Sequence, residues 1–283
     1  MIRRLPRSLY SLARVPVHGA GNDIGMENTM RIAITRQVSP AINQCELTHI
    51  AREMIDYERA CAQHKQYEDA LRSLGMDVIS LEAEPGLPDS VFVEDVALVL
   101  DECAIMLNPG ASSRRPEVAS VEKALAPYRD IFRVQPPGTI DGGDILRLGK
   151  TIYVGMSSRS TENAIGQIKA ILEPHHYKVR AVNVMGCLHL KSAVTRVREN
   201  TLLINPEWAS KDDFPGMQFI EVDPAEPYAA NAVLVDGTII YPSSFPKTRA
   251  KLERAGINML IVAADELAKA EGAVTCCSLI FEA

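Results

Sequence analysis

No apolar run in this chain approaches the roughly 18 residues that a membrane-spanning helix needs, so a helical membrane protein is excluded. Positive charge is not in surplus either: 30 Lys and Arg stand against 36 Asp and Glu, for a net charge of −6. That balance argues against nucleic acid or an anionic membrane as partner and suits a small cationic ligand better. The six cysteines, at 45, 61, 103, 187, 276 and 277, form no Cys-x-x-Cys pair and keep no regular spacing. A disulfide framework is therefore not expected, and they read as the reduced, mostly buried thiols of a cytoplasmic protein. A low-complexity linker is also lacking, and 47% hydrophobic against 23% charged residues places the chain among folded soluble proteins.

Residues 1–22 carry Arg3, Arg4, Arg7 and Arg14, with no acid before Asp23. No stretch there is apolar enough for a secretory signal. Residues 1–29 are expected to lie outside the fold, as an extension ahead of a start at Met26 or Met30 or as a weak organelle-targeting segment.

From Met30 onward one pattern recurs. An apolar strand meets a two-residue polar turn and returns as a second apolar strand. It occurs as Val96–Leu100 with Cys103–Leu107, Ile145–Leu148 with Thr151–Val154, Ala193–Arg198 with Thr201–Ile204, and Ala232–Val235 with Thr238–Tyr241. The turns lie 48, 50 and 37 residues apart. Helix signals follow the first, second and fourth hairpins, around Val118–Leu125, Ile165–Leu172 and Lys247–Ala255, the middle one capped by Ser160 or Thr161. A further helix around Tyr67–Leu74 precedes the strand Val78–Leu81, and strands at Arg31–Thr35 and Thr275–Phe281 open and close the pattern. These termini would complete a fifth unit, so residues 30–283 read as one α/β domain of repeated hairpin-and-helix modules.

Polar residues that a half-buried strand would not choose stand just before the hairpins: Asp89, Glu94 and Asp95, then Asp141 and Asp144, then His189 and Lys191, then Asn231, with Cys276 in the last strand. If the modules surround an axis, these ends converge. Carboxylates in such a ring would bind a planar guanidinium through paired charge-assisted hydrogen bonds. A cation held there would lower the pKa of a nearby thiol and make it a nucleophile, with His189 as proton shuttle oriented by a carboxylate such as Asp141. Singly, each residue also has a structural reading: Cys276 as buried packing, His189 as a core histidine, Asp141-Gly142-Gly143-Asp144 as a turn. Their joint occurrence favours chemistry.

Phe92-Val93-Glu94-Asp95, Pro109-Gly110-Ala111-Ser112-Ser113-Arg114-Arg115, Asp141-Gly142-Gly143-Asp144, Gly155-Met156-Ser157-Ser158-Arg159, Leu188-His189-Leu190-Lys191-Ser192 and Thr275-Cys276-Cys277-Ser278 occur in that order. Over about residues 30–283 this resembles the dimethylarginine dimethylaminohydrolase family of the amidinotransferase superfamily, whose members modify guanidino groups. The resemblance implies a pentein fold, five ββαβ-type modules around a pseudo-fivefold axis. It implies hydrolysis of methylated arginines to citrulline with Cys276 as nucleophile, His189 as general acid and base, and Asp141 as its partner. Asp89, Glu94 and Asp95 would hold the guanidinium, Arg114 and Arg159 the substrate α-carboxylate, and the main chain of Leu47 and Ala270 the amino-acid end. Cys277 would point to the other face of the strand. No cofactor is implied; zinc taken up by Cys276 and His189 would inhibit. The partner is a small guanidino amino acid, and a homodimer is one oligomeric state left open.

Two departures stand out. Ser160-Thr161-Glu162-Asn163 follows Arg159 where relatives usually have Thr-Asn, and Ala270 is smaller than the branched residue expected. Two alternatives remain at this level: a hydrolase of arginine or another guanidine, and a non-catalytic pentein that binds a macromolecule.

Overall fold

The computed structural model describes residues 30–283, so the expectation for residues 1–29 lies outside the described residues. The elements run in chain order as β1 (Arg31–Arg36), α1 (Tyr57–Ser73) and β2 (Asp77–Leu81), then β3 (Ala97–Val99), β4 (Ala104–Met106), α2 (Val118–Leu125) and β5 (Ile131–Arg133). The next unit is β6 (Ile145–Leu148), β7 (Thr151–Met156), α3 (Glu162–Leu172) and β8 (Lys178–Asn183). After it come α4 (Leu190–Ala193), β9 (Val194–Arg198), β10 (Thr201–Ile204) and β11 (Gln218–Glu221). The chain ends with β12 (Val233–Val235), β13 (Thr238–Pro242), α5 (Pro246–Arg254), β14 (Asn258–Val262), α6 (Asp265–Ala268) and β15 (Leu279–Glu282).

Five three-stranded sheets result, ordered β15-β1-β2, β3-β4-β5, β6-β7-β8, β9-β10-β11 and β12-β13-β14. Each joins an antiparallel pair to a parallel third strand reached by a crossover. The first sheet borrows β15 from the far end of the chain, which registers Ile32 against Phe281 and closes the ring. Only the β10–β11 crossover lacks an α-helix and has a 3-10 turn at Lys211–Asp213, in keeping with the shorter spacing after the third hairpin.

The outer strands of all five sheets, β15, β3, β6, β9 and β12, line one cavity of about 650 Å³, so the modules surround an axis. This is the pentein fold that the resemblance implied, and it agrees with the repeat of hairpin-and-helix modules. Five apolar clusters fill the clefts between neighbouring modules. In β1, Ile32 and Ile34 enter one cluster while Ala33 enters the next. Burial on both faces explains why these strands read as continuous apolar runs and not as alternating ones.

One expected element changes. Thr275–Phe281 is not a continuous strand: Thr275–Cys277 forms a 3-10 turn and β15 starts at Leu279. Asn231 causes this locally, since its Oδ1 accepts from Thr275 N and its Nδ2 donates to Thr275 Oγ1, which draws Thr275 away from a ladder. Cys277 points away from Cys276 because of that turn, not because of strand alternation. It faces a small cavity beside Tyr67 and Val262.

Candidate active site

At one end of the axis, segments that precede the hairpins meet. The Asp141-Gly142-Gly143-Asp144 stretch crosses tightly against two neighbours. A Cβ on Gly142 would lie 1.9 Å from the Glu94 carbonyl oxygen, and one on Gly143 would lie 2.4 Å from His189 Nδ1. Glycine is required there so that the β3–β4 and β6–β7 modules and the His189 ring can touch. Asp144, fully buried, accepts from the Leu190 amide and from the Ser157 and Ser160 hydroxyls. Of the two candidate caps of α3, Ser160 is thereby spent on Asp144, and Thr161 accepts from Ala164 N at the helix start. Asp144 thus fixes the start of α4, and His189 is the residue that begins it.

His189 Nε2 lies 3.2 Å from Asp141 Oδ2, and Asp141 Oδ1 accepts from Gly110 N at 2.8 Å. Both side chains are almost wholly buried. Burial alone would lower the imidazole, but Asp95, Asp141 and Asp144 lift its pKa to about 9. Asp95 is also fully enclosed, and against that burial Arg114 and His189 hold its carboxyl down at about 2. The Cys276 thiol moves the other way: burial, then the charges of Asp95 and Glu94, push it up to about 12. In the field of the protein's own charges the pair is therefore an imidazolium beside a neutral thiol.

Asp89, Asp95, Arg114, Asp141, Arg159, His189, Ala270 and Cys276 line a single cavity of about 20 Å³, roofed in part by Glu46 and Glu271. Two expected site residues fall elsewhere. Glu94 lines the axial cavity, with one oxygen paired to Lys191 and the other buried without a hydrogen-bond partner among the described residues. Burial, partly offset by Lys191, raises its pKa to about 7. Leu47 sits half-buried beside the roof and packs toward the α1 core.

Arg114 was expected at the substrate carboxylate, but the structure commits its guanidinium to the protein. Nη1 donates to Asp95 at 2.6 Å, Nη2 and Nε to Glu117 at 2.9 and 3.2 Å, and Nη2 also to the carbonyls of Asp89 and Phe92. It braces the carboxylate wall and is only 5% exposed. Arg159 is less spent, with one contact from Nη2 to Thr48 Oγ1 at 3.0 Å. Asp95, Asp141 and His189 bring ligand atoms within 4.8 Å of one another, close enough to share a cation. Each already has a protein partner that a metal would displace.

Four further groups belong to this site; the sequence placed Asn231 and Asp144 in the converging ring without the structural roles found for them, and it gave no sign of Glu46 and Glu271. Asn231 ties Thr275, next to Cys276, to the carbonyl of Lys191, and its place before the fourth hairpin was the visible signal. Asp144 and its serines behave likewise. Glu46 and Glu271 carry no pattern that would single them out.

The sequence matches the family model for "N,N dimethylarginine dimethylhydrolase, eukaryotic" over residues 31–213. It is 38% identical over 251 residues to the N(G),N(G)-dimethylarginine dimethylaminohydrolase of Streptomyces coelicolor, covering 87% of this chain and 95% of that one. To the enzyme of the same name from Pseudomonas aeruginosa it is 37% identical over 228 residues, covering 80% of this chain and 90% of the other. A solved structure of the Pseudomonas enzyme, a cysteine-to-serine mutant complexed with citrulline, superposes with a TM-score of 0.85 at 34% identity, over 89% of this chain and 100% of that one. A family match over most of the described chain, relatives similar over nearly their full length and a shared fold agree with the cavity geometry, and the chain belongs to the dimethylarginine dimethylaminohydrolase family.

Proposed function

We propose that residues 30–283 act as one catalytic domain that hydrolyses asymmetric dimethylarginine and monomethylarginine to citrulline and the corresponding amine. The observation that carries this reading is the small cavity in which a buried thiol, an imidazole held by a carboxylate, and further carboxylates face one another. Such a wall suits a planar cation, because paired N–H donors of a guanidinium match carboxylate oxygens. Asp89 and Asp95 would receive it, with Glu94 completing the set from the axial side. Arg159 would take the substrate α-carboxylate in exchange for Thr48. The main chain at Leu47 and Ala270 would meet the amino-acid end.

The empty site keeps its thiol protonated, since Cys276 is pushed up to about 12. A bound guanidinium beside the sulfur reverses this: the thiol proton leaves to solvent and the thiolate forms against the cation. The sulfur bonds to the guanidinium carbon, giving a neutral tetrahedral adduct. His189, protonated at about 9, passes its proton to the dimethylamino nitrogen; the C–N bond breaks and dimethylamine departs. An S-alkylthiouronium cation remains on Cys276. The neutral His189 then takes a proton from water as the oxygen bonds to the same carbon. The C–S bond breaks, the electron pair returns to sulfur, and citrulline forms as its extra proton passes to the released amine. Asp141 keeps the imidazolium oriented throughout.

This chemistry calls for no metal or organic cofactor, and zinc bridging Cys276 and His189 would block both groups. A cytoplasmic setting suits a reaction that depends on a free thiol, and every described cysteine is free. Among the described residues no helix is long and apolar enough to cross a membrane. The test is citrulline release by the purified protein from asymmetric dimethylarginine, monomethylarginine and arginine, without added metal. Release from the methylated substrates with little from arginine is expected. Release from arginine alone would make it a deiminase, and none from any of the three would overturn the reading.

A further inference from the structure

Residues 46–56 contain neither helix nor strand, yet the segment is ordered at both ends. Its base is pinned by reciprocal bonds between Asn43 and Ile55, with Ile55 N donating to Asn43 Oδ1 at 2.8 Å and Asn43 Nδ2 to Ile55 O at 3.0 Å. Arg52 ties the same base to the carbonyls of Asn43 and Cys45. The tip has a different anchor, 221 to 223 residues away in sequence. The Glu271 carboxylate accepts from three successive amides, Thr48 N at 2.6 Å, His49 N at 2.5 Å and Ile50 N at 3.1 Å. Glu271 itself holds φ of 55°, a left-handed conformation that a non-glycine residue adopts only at a cost.

The strap so held matters because of what lies beneath it. Glu46 and Glu271 both wall the cavity around Cys276, and the cavity holds about 20 Å³, room for about one water. An amino acid needs more room than that, and the strap borders the cavity through Glu46 and through Thr48, which meets Arg159 in its wall. We propose that Glu271 is the latch of this strap: a positioning residue that closes the 47–50 segment over the bound guanidino amino acid and presents the Leu47 main chain to it. The proposal rests on the reading of the site given above.

The latch acts through charge-assisted hydrogen bonds, which are about twice as strong as neutral ones. Glu271→Gln keeps the shape and one acceptor but loses the charge; Glu271→Ala loses both. Hydrogen–deuterium exchange on the full chain reads the latch directly. Exchange at the amides of Thr48, His49 and Ile50 should rise about 10- to 100-fold in Glu271→Ala and by less in Glu271→Gln, with no change elsewhere. Steady-state kinetics read its purpose. KM for asymmetric dimethylarginine should rise about 10-fold in Glu271→Gln while kcat stays within about twofold, because the reacting groups are untouched. Unchanged exchange at 48–50 overturns the latch. Faster exchange with an unchanged KM overturns its role in holding substrate. If the wild-type chain turns over no guanidine, the reading of the site fails, and exchange at these three amides still decides whether Glu271 holds the strap.

Discussion

The ionisation of Cys276 gives the most quantitative prediction. Its thiol is enclosed, with Asp95 and Glu94 adding negative charge, and its pKa is pushed up to about 12. At pH 8 only about one molecule in 10⁴ of the empty protein then carries the thiolate. A guanidinium about 4 Å away, at an effective dielectric of about 20, contributes about 4 kcal/mol, enough to bring the thiol to about 9. About one molecule in ten is then reactive at pH 8, a gain of about 10³-fold from substrate charge alone. Inactivation of the empty protein by iodoacetamide, with peptide mass analysis at Cys276, measures the first value. The rate should climb about tenfold per pH unit from about pH 6 to 9 without levelling. Turnover at saturating substrate should climb to about pH 9 and then fall, as His189 loses the proton that it passes to the leaving amine. A labelling rate that is already flat by about pH 8 in the empty protein would refute the reasoning, because the thiolate would then be preformed.

Arg114→Ala should cost about 3–5 kcal/mol of stability, since it strands the buried carboxylates of Asp95 and Glu117. Denaturant unfolding would measure it, and an unchanged midpoint with only a raised KM would return Arg114 to the substrate carboxylate. Cys276→Ser should abolish turnover and still bind substrate by calorimetry, while Cys277→Ser, whose sulfur contacts the Ala273 carbonyl away from the cavity, should keep most activity; the opposite pattern would exchange the two roles. Gly142→Ala would set a methyl against the Glu94 carbonyl and should lower stability by about 1–3 kcal/mol in chemical denaturation, and a midpoint equal to wild type would contradict the close approach.

The modules were legible because their local signals agree. Two-residue turns such as Asp236-Gly237 fix the hairpins, and doubly buried strands leave apolar runs such as Leu202, Leu203 and Ile204. The carboxylates, His189 and Cys276 were legible for the opposite reason, as polar groups in stretches that otherwise bury apolar ones. What escaped depends on partners distant in sequence. Arg114 looks the same whether it binds a ligand or a wall; Glu117 one helical turn on was the only local hint that it is neutralised from within. The turn at Thr275–Cys277 is imposed by Asn231, and its sequence alone reads as strand. Glu271 lies in Ala-Lys-Ala-Glu-Gly, where a helix surface glutamate would be equally at home, and its function depends on a strap folded against it from the other end of the chain.

The central claim is that the carbon of a methylated guanidine becomes bonded to the sulfur of Cys276. Rapid acid quenching of the protein during turnover of asymmetric dimethylarginine, followed by mass analysis of the Cys276-Cys277 peptide and fragmentation to locate the modified sulfur, tests it directly. The account predicts a thiouronium adduct on Cys276 that appears within a turnover and disappears as substrate is exhausted. Citrulline formation with no adduct on Cys276 at any time, or with the adduct on Cys277, would contradict it.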